Sequence, residues 1–232
     1  MKKYRSELKY VCTDYNFELI KNKLSNLLCI DSNSYENGKY IIHSLYFDDY
    51  KNTCMKEIDS GDYKRSKWRI RYYNDSNQNL YLEKKEKLFS RCHKRKCKIS
   101  VDEYNSIING DSLNFFWKTD EKLLKEFIID IINKGFKPKL IIDYERFAFV
   151  ETITNIRITL DTNISASYDI SNFFTGDYIK YPIQEKNYNV LEVKFDDILP
   201  GYIKNVFNSY NFNQTSFSKY YLGRKKINEV LL

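Results

Sequence analysis

The sequence predicts an α+β fold: an antiparallel β-tunnel, charged on the inside, with helices packed around it. Three observations carry this. Six separate segments alternate with a period of two, and the polar half of each alternation is mostly Lys and Arg with single acidic residues among them. The chain has 21 Tyr and 15 Phe but only 7 Gly and 3 Pro, a bias toward strands and a filled interior. Its 232 residues suffice for one large core and are few for two. No Pro/Gly/Ser-rich linker, low-complexity stretch or internal repeat divides them, so residues 1–232 are expected to form one domain.

The elements follow in chain order. Arg5-Glu7-Lys9 alternates with Ser6-Leu8-Tyr10, a first strand. Asp14 is placed to cap a helix whose apolar face is Phe17, Ile20, Leu24 and Leu27. Lys67-Arg69-Arg71 alternates with Trp68-Ile70-Tyr72. Tyr81-Glu83-Lys85-Lys87 alternates with Leu80-Leu82, and Lys94-Lys96-Lys98 with Arg95-Cys97-Ile99. A short helix is expected to start near Asp102. Asp120 is placed to cap a longer one that carries Leu124, Phe127, Ile128 and Ile131 and stops at Gly135. Residues 140–147 read as a strand that is apolar on both faces in its first half and charged on both in its second, so the direction of Arg146 stays open. Arg157-Thr159-Asp161 alternates with Ile156-Ile158-Leu160, and Glu192-Lys194 with Leu191-Val193-Phe195. A last helix follows Pro200, with Ile203, Val206 and Phe207 inward.

One charged face per strand is also what an ordinary antiparallel sheet presents to water. The type of charge argues otherwise. Arg and Lys recur at i, i+2 and i+4, and like charges on neighbouring strands repel unless an anion neutralises them. A barrel whose polar faces point inward makes them converge. The net charge of +7 fits anionic partners without choosing among them.

Other chemistries find little footing. Cys12, Cys29, Cys54, Cys92 and Cys97 are odd in number and form no CxxC pair, which suits free thiols in a reducing cytoplasm. The N-terminus, Met-Lys-Lys-Tyr-Arg-Ser-Glu, has no apolar leader region, and no apolar stretch is long enough to span a bilayer. His43 and His93 stand alone, and the common nucleotide-binding glycine loops are absent.

Taken together, the motifs resemble a family. Arg5-Ser6-Glu7-Leu8-Lys9-Tyr10, Ser44-Leu45-Tyr46-Phe47-Asp48-Asp49 and Lys67-Trp68-Arg69-Ile70-Arg71-Tyr72 resemble the opening of a VTC domain, the polyphosphate polymerase domain of the vacuolar transporter chaperone complex and its bacterial relatives. Leu82-Glu83-Lys84-Lys85, Asp143-Tyr144-Glu145-Arg146-Phe147-Ala148-Phe149, Arg157-Ile158-Thr159-Leu160-Asp161, Leu191-Glu192-Val193-Lys194-Phe195 and Ser218-Lys219-Tyr220 continue the series in order over nearly the whole chain. The resemblance implies the triphosphate tunnel fold, ATP or another nucleoside triphosphate as substrate, a Mn²⁺ or Mg²⁺ cofactor, and transfer of the γ-phosphate to a growing polyphosphate.

On that reading Lys9, Arg69, Arg71, Lys85, Arg146 and Lys219 hold the phosphates, with Arg146 and Lys219 entering through the resemblance alone. Lys87, Lys94, Lys96, Arg157 and Lys194 are expected at the mouths or along the product's path. Glu192, and second to it Glu7, are the expected metal ligands, since a hard divalent ion bridging phosphates takes carboxylate oxygen. Glu83 is expected to pair with tunnel cations. Arg→Ala at 69 or 71 is expected to leave stability unchanged or raised. Trp68 or a tyrosine is expected to stack on the base.

Two other functions compete. Tunnel hydrolases of triphosphate carry Glu-x-Glu-x-Lys on the first strand, where this chain has Arg5 in place of the first Glu. A non-catalytic module holding polyphosphate or nucleic acid ranks below both. Glu7, Glu83 and Glu192 share strand faces with the cations and would repel a nucleic-acid backbone, so nucleic acid is not an expected partner.

Overall fold

The computed structural model describes residues 4–232 except 33, 36, 37, 75 and 211 and the side chain of Asn77. Residues 1–3, which begin the charged N-terminal segment, therefore lie outside the described residues. In chain order the strands are β1 (Arg5–Thr13), β2 (Cys29–Ile30), β3 (Lys39–Asp48), β4 (Lys64–Tyr73), β5 (Ser76–Leu88), β6 (Arg91–Ile99), β7 (Lys137–Glu151), β8 (Ile156–Ser167), β9 (Tyr181–Pro182) and β10 (Tyr188–Phe195). The helices are α1 (Asp14–Leu27), α2 (Thr53–Asp59), α3 (Val101–Asn109), α4 (Leu113–Phe116), α5 (Lys122–Lys134), α6 (Gly201–Asn208) and α7 (Lys219–Leu231).

The strands form one antiparallel sheet in the order β2-β7-β3-β4-β5-β6-β1-β10-β8-β9. A further pairing of β7 with β8 closes the ring β7-β3-β4-β5-β6-β1-β10-β8, so the sheet is a barrel. The ring is uneven. β1 and β10 pair from Ser6↔Phe195 to Thr13↔Tyr188, whereas β1 and β6 share only Arg5↔Cys92 and Ser6↔Arg91.

The apolar faces of the alternating strands point outward, under helices. Trp68, Ile70, Leu80 and Leu82 pack with Phe127 and Ile128 of α5. Leu191, Val193, Ile158 and Leu160 pack with Phe17, Ile20 and Leu24 of α1 and Ile203 and Phe207 of α6. Leu27, expected on the inner stripe of α1, is half exposed instead.

The helix starts lie within a residue or two of the expected ones, with different caps. Thr13, not Asp14, caps α1 by accepting from the Asn16 N–H, and Glu121, not Asp120, caps α5. Ser100 opens α3 with a reciprocal capping box to Glu103. Gly135 ends α5 at φ 66°, as its left-handed conformation requires. β3 escaped the alternation because nearly its whole length is buried on both faces. The short α2 and α4 and the C-terminal α7 escaped it as well.

Helix α7 crosses one end of the barrel. Its N-cap Ser218 accepts from Lys67 of β4 at 3.0 Å. Tyr220 lies 5.5 Å from the Tyr46 ring and donates to Asp48, the last residue of β3. Gly223 sits so close to β7 and β8 that a Cβ would lie 2.6 Å from Ile142 and 3.3 Å from Ala166. At the other end the rim carries the part-exposed Arg5, Tyr73, Tyr81 and Arg157.

A candidate phosphate tunnel

The inward faces bring the charged side chains together around four buried carboxylates. Glu83 of β5 is fully buried opposite Arg69 of β4. Arg69 donates Nε and Nη2 to Glu83 Oε2 at 2.8 and 2.6 Å, Lys94 donates to Oε1 at 3.0 Å, and Arg71 stands 3.7 Å away. Burial works against the Glu83 carboxylate, but Arg69, Arg71 and Lys94 outweigh it and hold the pKa well below the usual range. Arg69 also donates to the Tyr46 hydroxyl at 2.8 Å, and Arg71 to Ser44 and Tyr144 at 3.0 Å each.

Asp161 of β8 anchors a second group. Arg146, opposite it on β7, donates Nε and Nη2 to its two oxygens at 2.6 and 2.8 Å, and Lys219 at the start of α7 donates at 2.6 Å. Burial is again the opposing influence, and these two cations bring Asp161 down to about 2. Arg146, whose direction the sequence left open, thus points inward. The Tyr144 ring joins the two groups: Lys219 lies 4.6 Å and Arg146 5.2 Å from its centre, while its hydroxyl takes the bond from Arg71.

Glu7 and Glu192 share the third group. Lys85 donates to both oxygens of Glu7 at 2.8 and 2.9 Å. Lys9 stands 3.5 Å from Glu192 and 3.9 Å from Glu7. Lys194 bonds Glu192 and lies 3.7 Å from Glu7. Burial and the neighbouring Glu192 both push Glu7 up, yet Lys85, Lys9 and Lys194 bring it to about 2; Glu192 is likewise held well below its usual range against its own burial. The Cys92 thiol also donates to Glu7. Lys67, on the same face, bonds Ser218, and burial draws its pKa down to about 7.

Lys9, Arg69, Arg71, Lys85, Arg146 and Lys219 therefore all stand on the inner face, and so do Glu7 and Glu192. Of the residues expected at the mouths or along the product's path, Lys194 lies beside Glu192 and Glu7, and Lys94 reaches Glu83 from an exposed position. Lys87 faces inward opposite Arg65, toward the α7 end. Arg157 is at the rim, bonded to Asp31 and the Tyr40 hydroxyl at 2.8 Å each. Lys96 is exposed, 5.1 Å from the Tyr81 ring centre.

Lys67 and Asp161 join the site beyond the expected residues, although both lie in alternating runs of the sequence. Two expectations are corrected by the structure. Trp68 is fully buried, 4.8 Å from Phe127, with its N–H given to Asp130, so it cannot stack on a base. Arg69 is a partner to a buried carboxylate, so its removal does not simply relieve repulsion.

No group of three or more His, Cys, Asp or Glu gathers among the described residues. His43 lies on the outer side, bonded to Asp143 at 3.0 Å and stacked on Tyr72. All five cysteines are free thiols. No helix among the described residues is long and apolar enough to cross a membrane.

Two solved structures share this architecture along nearly their whole length. A candidate adenylate cyclase from Bacillus halodurans superposes with a TM-score of 0.55 at 12% identity, over 94% of this chain and 95% of that one. A protein of Pyrococcus horikoshii gives a TM-score of 0.53 at 14% identity, over 96% and 99%. At these identities the likeness concerns the fold, which is the triphosphate tunnel fold. No curated protein matches the sequence. The VTC domain model matches residues 4–228, almost the whole of the barrel and its helices, and the chain belongs to the VTC domain family.

Proposed function

We propose that this chain is a polyphosphate polymerase of the cytoplasm, which moves the γ-phosphate of ATP or another nucleoside triphosphate onto the end of a polyphosphate chain held in the tunnel. The observation that carries this is the excess of inward cations. Among the described residues, Lys9, Arg69, Arg71, Lys85, Lys94, Arg146, Lys194 and Lys219, with the partly charged Lys67 beside them, face Glu7, Glu83, Asp161 and Glu192 within the closed ring. Such an interior is poorly balanced until an anion enters it. A linear chain of phosphates fits a line of separate cationic stations better than a compact anion does.

Phosphoryl transfer needs little covalent help: it needs the donor and acceptor phosphates in line and their oxygens neutralised. The guanidinium groups of Arg69, Arg71 and Arg146 suit fork-like contacts to phosphate oxygens, and the lysines supply point charge. Arg69 and Arg146 are already oriented by buried carboxylates, so they need not reorganise when substrate arrives.

Glu7 and Glu192 fit a divalent cation. They are hard oxygen donors, kept ionised, and close enough to share Lys9 and Lys194. Two carboxylates leave the remaining coordination to phosphate oxygens and water, as Mg²⁺ or Mn²⁺ takes it. When bound, such an ion would neutralise charge on the reacting phosphates. Arg5, which stands where hydrolases of this fold carry a carboxylate, points to Asp196 at 3.0 Å and adds no ligand to this pair; that favours polymerase over triphosphatase.

The test is to incubate the pure protein with ATP and Mn²⁺ or Mg²⁺ and separate the products by chain length. Long polyphosphate is expected, with Glu192→Gln losing the metal-dependent turnover. Free phosphate alone would make the protein a hydrolase, and no turnover with tight polyphosphate binding would make it a carrier.

A further inference from the structure

One rung of the barrel holds a polar group that the three charged clusters leave out. Register partners across four strands read Lys9↔Glu192, Glu192↔Thr159 and Thr159↔Ala148. Thr159 shares the inward face of β8 with Arg157 and Asp161. It is 1% exposed, and its hydroxyl has no hydrogen-bond partner. Each neighbour is committed elsewhere. Glu192 turns to Lys194 and Lys9, Asp161 is taken by Arg146 and Lys219, and Arg157 reaches out to Asp31 and Tyr40. Ala148, across from it on β7, has no polar side-chain atom to offer the hydroxyl.

Buried hydroxyls are nearly always bonded, because an unpaired one forfeits its water for nothing. Valine has almost the same shape and would pack here without that cost. A hydroxyl that the folded chain leaves unsatisfied, on the cationic inner wall, suits an acceptor that comes from outside.

We propose that Thr159 is a substrate-positioning residue: its hydroxyl donates to a non-bridging oxygen of a phosphate held between Lys9 and Arg146, beside Glu192. A phosphate oxygen only accepts, and the threonine hydroxyl supplies one donor, so the two match. The inference rests on the tunnel being a phosphate site. Its effect on affinity is that of one hydrogen bond to a charged group, roughly ten- to hundredfold.

The experiment compares wild type, Thr159→Val and Thr159→Ser by calorimetric titration with inorganic tripolyphosphate, with and without Mg²⁺, together with the melting temperature of each ligand-free protein. Thr159→Val should bind about tenfold or more weakly in both conditions, melt unchanged or higher without ligand, and be rescued by Thr159→Ser. Equal binding by wild type and Thr159→Val overturns this assignment alone. A clear fall in the ligand-free melting temperature overturns it too, since the hydroxyl would then have an internal partner. A loss confined to the Mg²⁺ titration overturns the phosphate contact and puts the hydroxyl on a metal-held water. Wild type that ignores tripolyphosphate removes the phosphate reading and this assignment with it.

Discussion

Arg69 and Glu83 sit opposite each other on β4 and β5, and neither can be understood alone. Glu83 has no exposure to water and relies on Arg69 for two of its bonds. Deleting one partner of such a buried pair leaves an uncompensated charge, at a cost of about 3–5 kcal/mol. Arg69→Ala should therefore lose stability on that scale in denaturant titration of the ligand-free protein, and Arg69→Ala with Glu83→Gln should recover much of it. If the single variant is as stable as wild type, Lys94 and Arg71 alone hold the carboxylate. That Arg69 faces inward was legible in the sequence, because alternation fixes the face of a strand. That it is locked to Glu83 was not, because cross-strand register is set by which strands become neighbours, and nothing in a single strand records it. That Lys94 and Lys194 pair with Glu83 and Glu192 was hidden for the same reason.

At the scale of elements, the sequence disclosed those that are buried on one side. β1, β4, β5, β6, β8 and β10 each have one apolar and one charged face, and α1, α3, α5 and α6 each have a clear apolar stripe or flank. β3 is covered on both sides, so its run of Tyr, Ile, Leu and Phe carries no period to read. Helix α7 was missed because the face it buries is Tyr220, Gly223 and Ile227, with a glycine where an apolar side chain would have marked the stripe, under a capping serine. Gly223 makes this docking testable. Leucine there should gain about 1 kcal/mol of helix propensity, while overpacking against Leu140, Ile142 and Ala166 costs about 1–3 kcal/mol. Gly223→Leu should speed hydrogen exchange of the α7 amides while the amides of β10 stay as protected as in wild type. If α7 is as protected as before, the wall of the barrel yields to the larger side chain.

For the molecule as a whole, the tunnel was legible as a repeated sign of charge, and the closure of the ring was not. The strand order has a further consequence, in time rather than in space. Of the barrel's strands β1 is made before the others, but its long ladder is with β10, the last of them, and its contact with β6 amounts to two register pairs. The meander β4-β5-β6 can pair as it is made, since each strand neighbours the next. β1 must wait, an unpaired edge with an apolar face, until β10 has been synthesised. Such long-range pairing is slow because the loop it closes is large. In refolding followed by pulsed hydrogen exchange, amides of β4 and β5 should gain protection before those of β1, and β1 and β10 should gain theirs together. Protection of β1 ahead of β5 would mean that the ring forms by another route. The barrel strand made first is the last to find its place, and until it does the cations of the interior face no enclosed space at all.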